Sequence, residues 1–160
     1  MRILFKIQLL AFVSMLYACS DQPIENHEVY TQNQVAVSGF DLVSYFTAEA
    51  PILGSTKHAV ELDGVIYRFT NAENKSAFEA DTEKYLPAYG GWCAYAMAND
   101  GSLMSSNPDK YEIQDGKLYL FFDNFITSIQ GGLQKEWNSD SEAYKTKADD
   151  NWEEHLKSTY

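Results

Sequence analysis

Two Asp-Gly dipeptides constrain the fold of this chain more than any other feature of the sequence. Asp63-Gly64 stands between the alternating runs of AVELDGVIYRF (59–69), and Asp115-Gly116 stands between those of KYEIQDGKLYLFF (110–122). An Asp-Gly pair between runs of alternating hydrophobicity is typical of a two-residue β-hairpin turn, because both turn residues need a positive φ. The sequence therefore predicts two β-hairpins, each with one apolar face.

A helix is predicted after each hairpin. In residues 71–86, Asn71 is a suitable N-cap, and Pro87 follows the last predicted helical residue. Residues 139–157 are predicted to form a polar helix with Tyr144, Trp152 and Leu156 on one side. We expect an α+β fold in which a small β-hairpin packs on a helix, followed by C-terminal helices.

The order of hairpin and helix occurs twice along the chain. Aligning the two Asp-Gly turns places Tyr67 on Tyr119 and Phe69 on Phe121. Beyond them, EADTEKY (79–85) resembles NSDSEAY (138–144) after about seven extra residues. Duplication of one unit explains this pattern. Chance similarity also explains it, because Asp-Gly turns and alternating aromatic residues are common in β-proteins.

The N-terminal residues resemble an export signal with a lipid-attachment site. Arg2 and Lys6 precede an apolar run from residue 7 to 15, which is too short to span a bilayer as a helix. Residues 16–19 (LYAC) resemble the bacterial lipobox, which predicts cleavage after residue 18 and a lipid on Cys19. Ser20, where an aspartate would favour the inner membrane, favours an outer-membrane anchor facing the periplasm. An ordinary cleaved signal with a chance cysteine is the alternative.

Domain organisation and charge follow from this assignment. Residues 1–18 are the predicted signal peptide, residues 19–34 a polar tether, and residues 35–157 a single domain. Removing the two basic residues of the signal from the 12 Lys and Arg leaves ten, against 23 Asp and Glu, so the mature chain carries a net charge of −13. Such an acidic protein repels nucleic acid, and acyl chains rather than a basic patch would hold it to the membrane.

Cys93, in YGGWCAYAM (89–97), is the one cysteine outside the predicted lipid site. With no partner for a disulfide, an exported thiol is buried, metal-bound, reactive or paired with another chain. His58, Met97 and Met104 complete a set of soft ligands, and thiolate and thioether sulfurs prefer Cu(I). A copper ion bound by these four residues is one hypothesis. A buried, inert thiol is the simplest alternative.

Two further functions remain open from the sequence. In one, Tyr89, Trp92 and Tyr95 form a ligand surface on a non-catalytic interaction module. In the other, Cys93 is a redox-active thiol, which would require a lowered pKa at a helix N-terminus or beside a base. Hydrolase and transferase motifs such as GxSxG, HExxH and the phosphate-binding loop are absent from the sequence, so an enzyme is the less favoured class.

Residues 38–46 (SGFDLVSYF) and 54–97 resemble the YHS domain family in its exported bacterial branch, and residues 115–152 resemble the tail of that branch. The resemblance implies a hairpin packed on a helix and a role in heavy-metal binding or homeostasis. In members that bind metal, thiols lie in a DPVCG-like segment and an FCSxxC-like segment. Here Thr70 and Asn74 occupy the two latter thiol positions, so the resemblance carries over the scaffold and Cys93 but not the usual ligands.

Overall fold

The computed structural model describes residues 28–159, which form a mixed α+β fold with a small sheet, a separate hairpin and several helices. The strands are β1 (Thr31–Gln32), β2 (Val35–Ala36), β3 (Ser55–Leu62), β4 (Val65–Phe69), β5 (Asn107–Gln114) and β6 (Lys117–Phe121). The helices are α1 (Ser44–Thr47), α2 (Ala72–Ala80), α3 (Thr82–Tyr85), α4 (Ala94–Asp100), α5 (Phe125–Ile129), α6 (Leu133–Trp137) and α7 (Ser141–Thr159). The predicted α+β class and the predicted C-terminal helix are confirmed.

Both predicted hairpins are present. The strand order of the larger sheet is β1-β2-β4-β3, with β2 parallel to β4 and the other neighbours antiparallel, and β5 and β6 pair separately. At the turns, φ is 51° at Asp63 and 77° at Gly64, and it is 51° at Asp115 and 75° at Gly116. Asp tolerates this left-handed region and Gly adopts it freely, which is why this dipeptide closes both hairpins.

The two hairpins have the same internal pairing. In each, a register shift separates the outermost strand pair from the rest, between Ser55 and Ala59 in β3 and between Asn107 and Tyr111 in β5. Equivalent positions of the two hairpins are separated by 52 residues throughout, as Ser55 is from Asn107. An irregularity at the same place in both hairpins is a more specific likeness than the Asp-Gly turn alone.

The folded domain begins earlier than the predicted boundary at Val35. Tyr30 is 9% exposed, its N–H donates to the carbonyl of Gly90 at 2.9 Å, and its ring lies 4.8 Å from that of Trp92. Assigning residues 28–34 to a tether is therefore wrong, because an aromatic anchor and the β1–β2 pairing bind them to the domain. Residues 19–27 of the predicted tether, the predicted signal at 1–18 and the lipid site at Cys19 lie outside the described residues.

The helix predicted over residues 71–86 is two helices. Asn71 is its N-cap as predicted, and its side chain accepts a hydrogen bond from the N–H of Asn74 at 2.8 Å. Asp81 has φ −151° and ψ 70°, so α2 ends at Ala80 and α3 begins at Thr82. The apolar spacing continues through the break, which is why the sequence does not reveal it.

Strand β6 joins the two parts of the core. Leu118 and Leu120 point into a cluster with Phe69 and Phe78, whereas Tyr119 and Phe121 point into a second cluster with Met97, Trp137 and Ala148. These four side chains of β6 are 3% exposed or less. Because successive side chains of a strand point to opposite faces, one strand forms part of both clusters.

Candidate functional site

Cys93 lies at the N-cap position of α4, and it is fully buried. Its N–H donates to the carbonyl of Met104 at 2.9 Å. Burial raises the pKa of the thiol above its ordinary value of 9.0, while the N–H groups of Phe122, Ala96 and Tyr95 act against that rise. A raised pKa favours the neutral thiol, which is the opposite of what a nucleophilic or redox-active cysteine requires.

The other three predicted metal ligands lie in different surroundings. Met97 is fully buried in the second core cluster, Met104 is 38% exposed, and His58 is half-buried on β3. Helix α4, which carries Met97, packs on α6, α7 and β6, whereas β3 packs on β4 and α2. Between residues 28 and 159, no three His, Cys, Asp or Glu side chains come together as a group that could hold a metal ion.

The carboxylate of Asp41 is 0% exposed and accepts five hydrogen bonds. Its Oδ1 accepts from the N–H of Val43 at 2.9 Å and of Ser44 at 3.3 Å. Its Oδ2 accepts from the N–H and the hydroxyl of Thr70, both at 2.8 Å, and from the amide of Asn74 at 2.7 Å. Thr70 and Asn74 thus converge on one carboxylate and donate hydrogen bonds to it.

The backbone groups around the sulfur of Cys93 correspond to those around the carboxylate of Asp41, which is 52 residues earlier. The backbone N–H of Asp41 donates to the carbonyl of Ile52 at 2.8 Å, as that of Cys93 does to Met104. The three backbone amides that donate to Asp41 belong to residues 43, 44 and 70, and those beside the sulfur belong to residues 95, 96 and 122. Each member of the second set follows its counterpart by 52 residues.

The backbone that leads into these two positions is also alike. Residues 37–39 have φ of 45°, 53° and 85°, and residues 89–91 have φ of 52°, 59° and 86°. In both segments a 3-10 turn that contains left-handed residues is followed directly by an extended residue, Phe40 in the first and Trp92 in the second. Three consecutive positive φ values are rare outside glycine, so their recurrence shows that the two segments share an unusual backbone conformation.

A cleft of about 650 Å³ lies between the 3-10 turn at Ala88–Gly91, the β5–β6 turn and α7. Its apolar and aromatic walls come from Val29, Leu86, Pro87, Ala88, Tyr89, Tyr119, Trp152 and Leu156. Its charged side chains are Glu28, Glu83, Asp115, Asp149, Lys117 and Lys145. This volume and this mixture of surfaces fall within the range of small-molecule sites.

The polar contacts within the cleft centre on Tyr89 and Lys145. The Tyr89 hydroxyl donates to Asp149 Oδ1 at 2.9 Å, and its ring lies 6.2 Å from that of Trp152 in an edge-to-face arrangement. Burial, and then the negative charge of Asp149, raise the pKa of Tyr89 well above 10.0, so the hydroxyl stays a neutral donor. Lys145 Nζ lies 3.5 Å from Asp115 Oδ2 across the cleft wall.

The three aromatic residues predicted as one ligand surface are dispersed. Tyr89 lines the cleft, Trp92 is half-buried against Tyr30, and Tyr95 packs at 5.3 Å from the ring of Tyr144. The cleft residues of α7 were not predicted as site residues. The one signal in the sequence was the placement of Trp152 and Leu156 on the apolar side of the last helix.

Comparisons of the chain with models of protein families, with characterised proteins and with solved structures find no match. In the described part of the chain, no helix combines the length and the apolar character needed to cross a bilayer. The fold and the site define a small α+β domain with an open, mostly apolar cleft and a buried thiol.

Proposed function

We propose that this protein is a lipoprotein of the cell envelope whose YHS-like domain binds a small amphipathic ligand without covalent chemistry. A lipid on Cys19 would hold it in the outer membrane, facing the periplasm. The cleft beside Tyr89 is the observation that carries the ligand-binding proposal, since it joins a large apolar wall to a few charged groups.

The charges of the cleft favour a neutral or cationic ligand. Four carboxylates and two lysines line it, which leaves two negative charges in excess. Asp149 stands beside Trp152, whose indole face attracts a cation through its π electrons. An aromatic or alkyl amine therefore matches the walls better than a carboxylate of the same shape.

Calorimetric titration of the mature chain with a matched pair, 2-phenylethylamine and 3-phenylpropionate, tests this chemistry. We expect the amine to bind more tightly, and Trp152→Ala to weaken its binding about tenfold by removing the aromatic wall. Phe125→Ala is the matched control, because Phe125 is an aromatic residue 80% exposed and outside the cleft. Equal binding of the two probes, or binding of the amine that Trp152→Ala leaves unchanged, would reject the proposal.

We further propose that the domain consists of two copies of a YHS-like unit, residues 35–85 and 87–144. The shared hairpin irregularity, the recurring positive φ values and the matching positions of Asp41 and Cys93 support it. The aromatic packing is also alike. Phe78 lies 5.1 and 5.0 Å from the rings of Tyr67 and Phe69, and Trp137 lies 5.2 and 5.7 Å from those of Tyr119 and Phe121.

This duplication bears on the predicted metal ligands. Cys93, Met97 and Met104 stand 52 residues after Asp41, Tyr45 and Ile52 respectively. Asp41 and Tyr45 are buried members of the first copy, and Ile52 is 47% exposed, much as Met104 is 38% exposed. These positions belong to the scaffold of both copies, which favours a structural thiol over a metal ligand and places the cleft ahead of a metal site.

Soft-metal binding is the second candidate, and the placement of Met97 is what favours it. Met97 follows Cys93 by one helical turn, and its N–H donates to the Cys93 carbonyl at 3.0 Å, so the two sulfur-bearing side chains start one turn apart along α4. Native mass spectrometry with Cu(I) tests it. One copper ion per chain, lost in Cys93→Ser and retained in Met104→Leu, would support a copper site on the buried pair. Absence of stoichiometric binding would reject that site.

A further inference from the structure

Helix α5 lies in a stretch that is longer in the second half of the domain than in the first. Eight residues separate Phe69 from Phe78, whereas fifteen separate Phe121 from Trp137. This longer stretch contains the three most exposed large apolar side chains among the described residues. Phe125 is 80% exposed, Ile126 is 65% exposed and Ile129 is 70% exposed.

These side chains project from a well-defined turn. The Asn124 side chain accepts from the N–H of Thr127 at 2.9 Å, and the Thr127 hydroxyl accepts from the N–H of Asn124 at 2.8 Å, which forms a capping box. The Ser128 hydroxyl donates to Asp123 at 2.7 Å, and the N–H of Gly132 donates to the Thr127 carbonyl at 2.8 Å. Capping at both ends presents Phe125, Ile126 and Ile129 as one contiguous apolar surface.

The charge around this surface differs from that of the whole chain. Residues 124–135 (NFITSIQGGLQK) contain no Asp or Glu, although the chain has 23 acidic residues. Two acids flank the segment in sequence, Asp123, which is 3.5 Å from Lys110 Nζ, and Glu136, which follows Lys135. The rest of this acidic protein is repelled by phosphate groups, but this segment can approach them without that cost.

A series of contacts links this surface to the place where the N-terminal chain joins the domain. The ring of Tyr30 packs against that of Trp92, the next residue is Cys93, and the N–H of Phe122 lies beside the Cys93 sulfur. Helix α5 begins three residues after Phe122. Cys19 is nine residues before Glu28, a distance of at most about 30 Å along an extended chain.

We propose that Phe125, Ile126 and Ile129 insert into the interface of the bilayer that carries the lipid anchor. This inference rests on the proposed anchor at Cys19, which keeps the domain within reach of that bilayer. The apolar side chains add a second, weaker attachment, and attachment through two signals holds a protein on a membrane more stably than one. It would also fix the orientation of the domain relative to the membrane surface.

Vesicle sedimentation tests the inference with the chain from residue 19 carrying Cys19→Ser, so that no lipid contributes. With phosphatidylcholine vesicles, we expect measurable partitioning that falls about tenfold or more in Phe125→Ser/Ile126→Ser/Ile129→Ser. Ile52→Ser/Leu53→Ser is the matched control, because these apolar side chains are 47% and 62% exposed and lie outside α5. Hydrogen exchange should show vesicle-dependent protection of residues 125–129.

Three outcomes would overturn the inference: no partitioning of the parent chain, equal partitioning of the triple variant, or equal losses in the control. A parent chain that dimerises and a triple variant that is monomeric in analytical ultracentrifugation would assign the surface to a second copy instead. The mass of the protein purified from membranes tests acylation of Cys19 separately. Failure of the anchor and failure of the membrane contact are therefore distinguishable.

Discussion

Replacing Asp41 should destabilise the fold more than replacing any exposed carboxylate. In Asp41→Ala, the buried N–H of Val43 and the partly buried N–H of Thr70 lose their acceptor. The N–H of Ser44 keeps a second acceptor, the Asp41 carbonyl at 3.0 Å. The loss therefore concerns one buried and one partly buried backbone donor, together with the hydroxyl of Thr70 and the amide of Asn74.

The expected magnitude follows from those two donors. A buried donor left without an acceptor costs about 1–3 kcal/mol, and a partly buried one costs less, so the two together lower the free energy of unfolding by about 2–5 kcal/mol. Small domains have a total stability of about 5–15 kcal/mol, so Asp41→Ala removes a large part of it. Asp41→Asn should recover less than half of the loss. Both carboxylate oxygens accept hydrogen bonds, so the NH2 group of an asparagine would face a donor in either orientation of the amide.

Urea unfolding followed by tryptophan fluorescence measures this loss. Asp150→Ala is the control, since Asp150 is an exposed residue of α7 and its replacement should change stability by less than about 0.5 kcal/mol. A loss below about 1 kcal/mol in Asp41→Ala, or full recovery in Asp41→Asn, would refute the role assigned to the carboxylate.

Three further predictions concern the second half of the domain. The Cys93 thiol should fail to react with an aromatic disulfide reagent at pH 7 until urea is added; rapid reaction of the folded protein would contradict its burial. Trp137→Ala should cost about 3–5 kcal/mol in urea unfolding. Trp137→Phe should cost less than half of that, because it keeps an aromatic ring, as Phe78 does in the first half, and removes an indole N–H that has no partner among the described residues. Equal costs of the two substitutions would contradict this prediction. Burial raises the pKa of Tyr89 above its unfolded value of 10.0, so tyrosinate forms first in the unfolded chain. The contribution of Tyr89 to the free energy of unfolding is then fully present below pH 10 and is lost as the pH rises further. An equally steep alkaline decline in stability in Tyr89→Phe would show that ionisation of Tyr89 is not its cause.

The signals that predicted correctly are local ones. The Asp-Gly turns, the alternation of strands β4 and β6 and the Asn71 cap each depend on residues a few positions apart. The break at Asp81 and the early start of the domain at Tyr30 were missed. The early start depends on packing against a distant segment, since the ring of Tyr30 lies 4.8 Å from that of Trp92.

The sequence was less informative about the site. Cys93 and Tyr89 could be identified as candidate site residues from the sequence alone. Nothing in the spacing of Thr70 and Asn74 indicates that both contact the carboxylate of Asp41, about thirty residues earlier. Nor does the sequence indicate that Asp149 and Trp152 of the last helix close a cleft against Tyr89, some sixty residues before them. Turn and cap chemistry is encoded by neighbouring residues, so it can be predicted from the chain alone. The convergence of distant side chains depends on how the helices pack on the two hairpins, and it becomes visible when that packing is known.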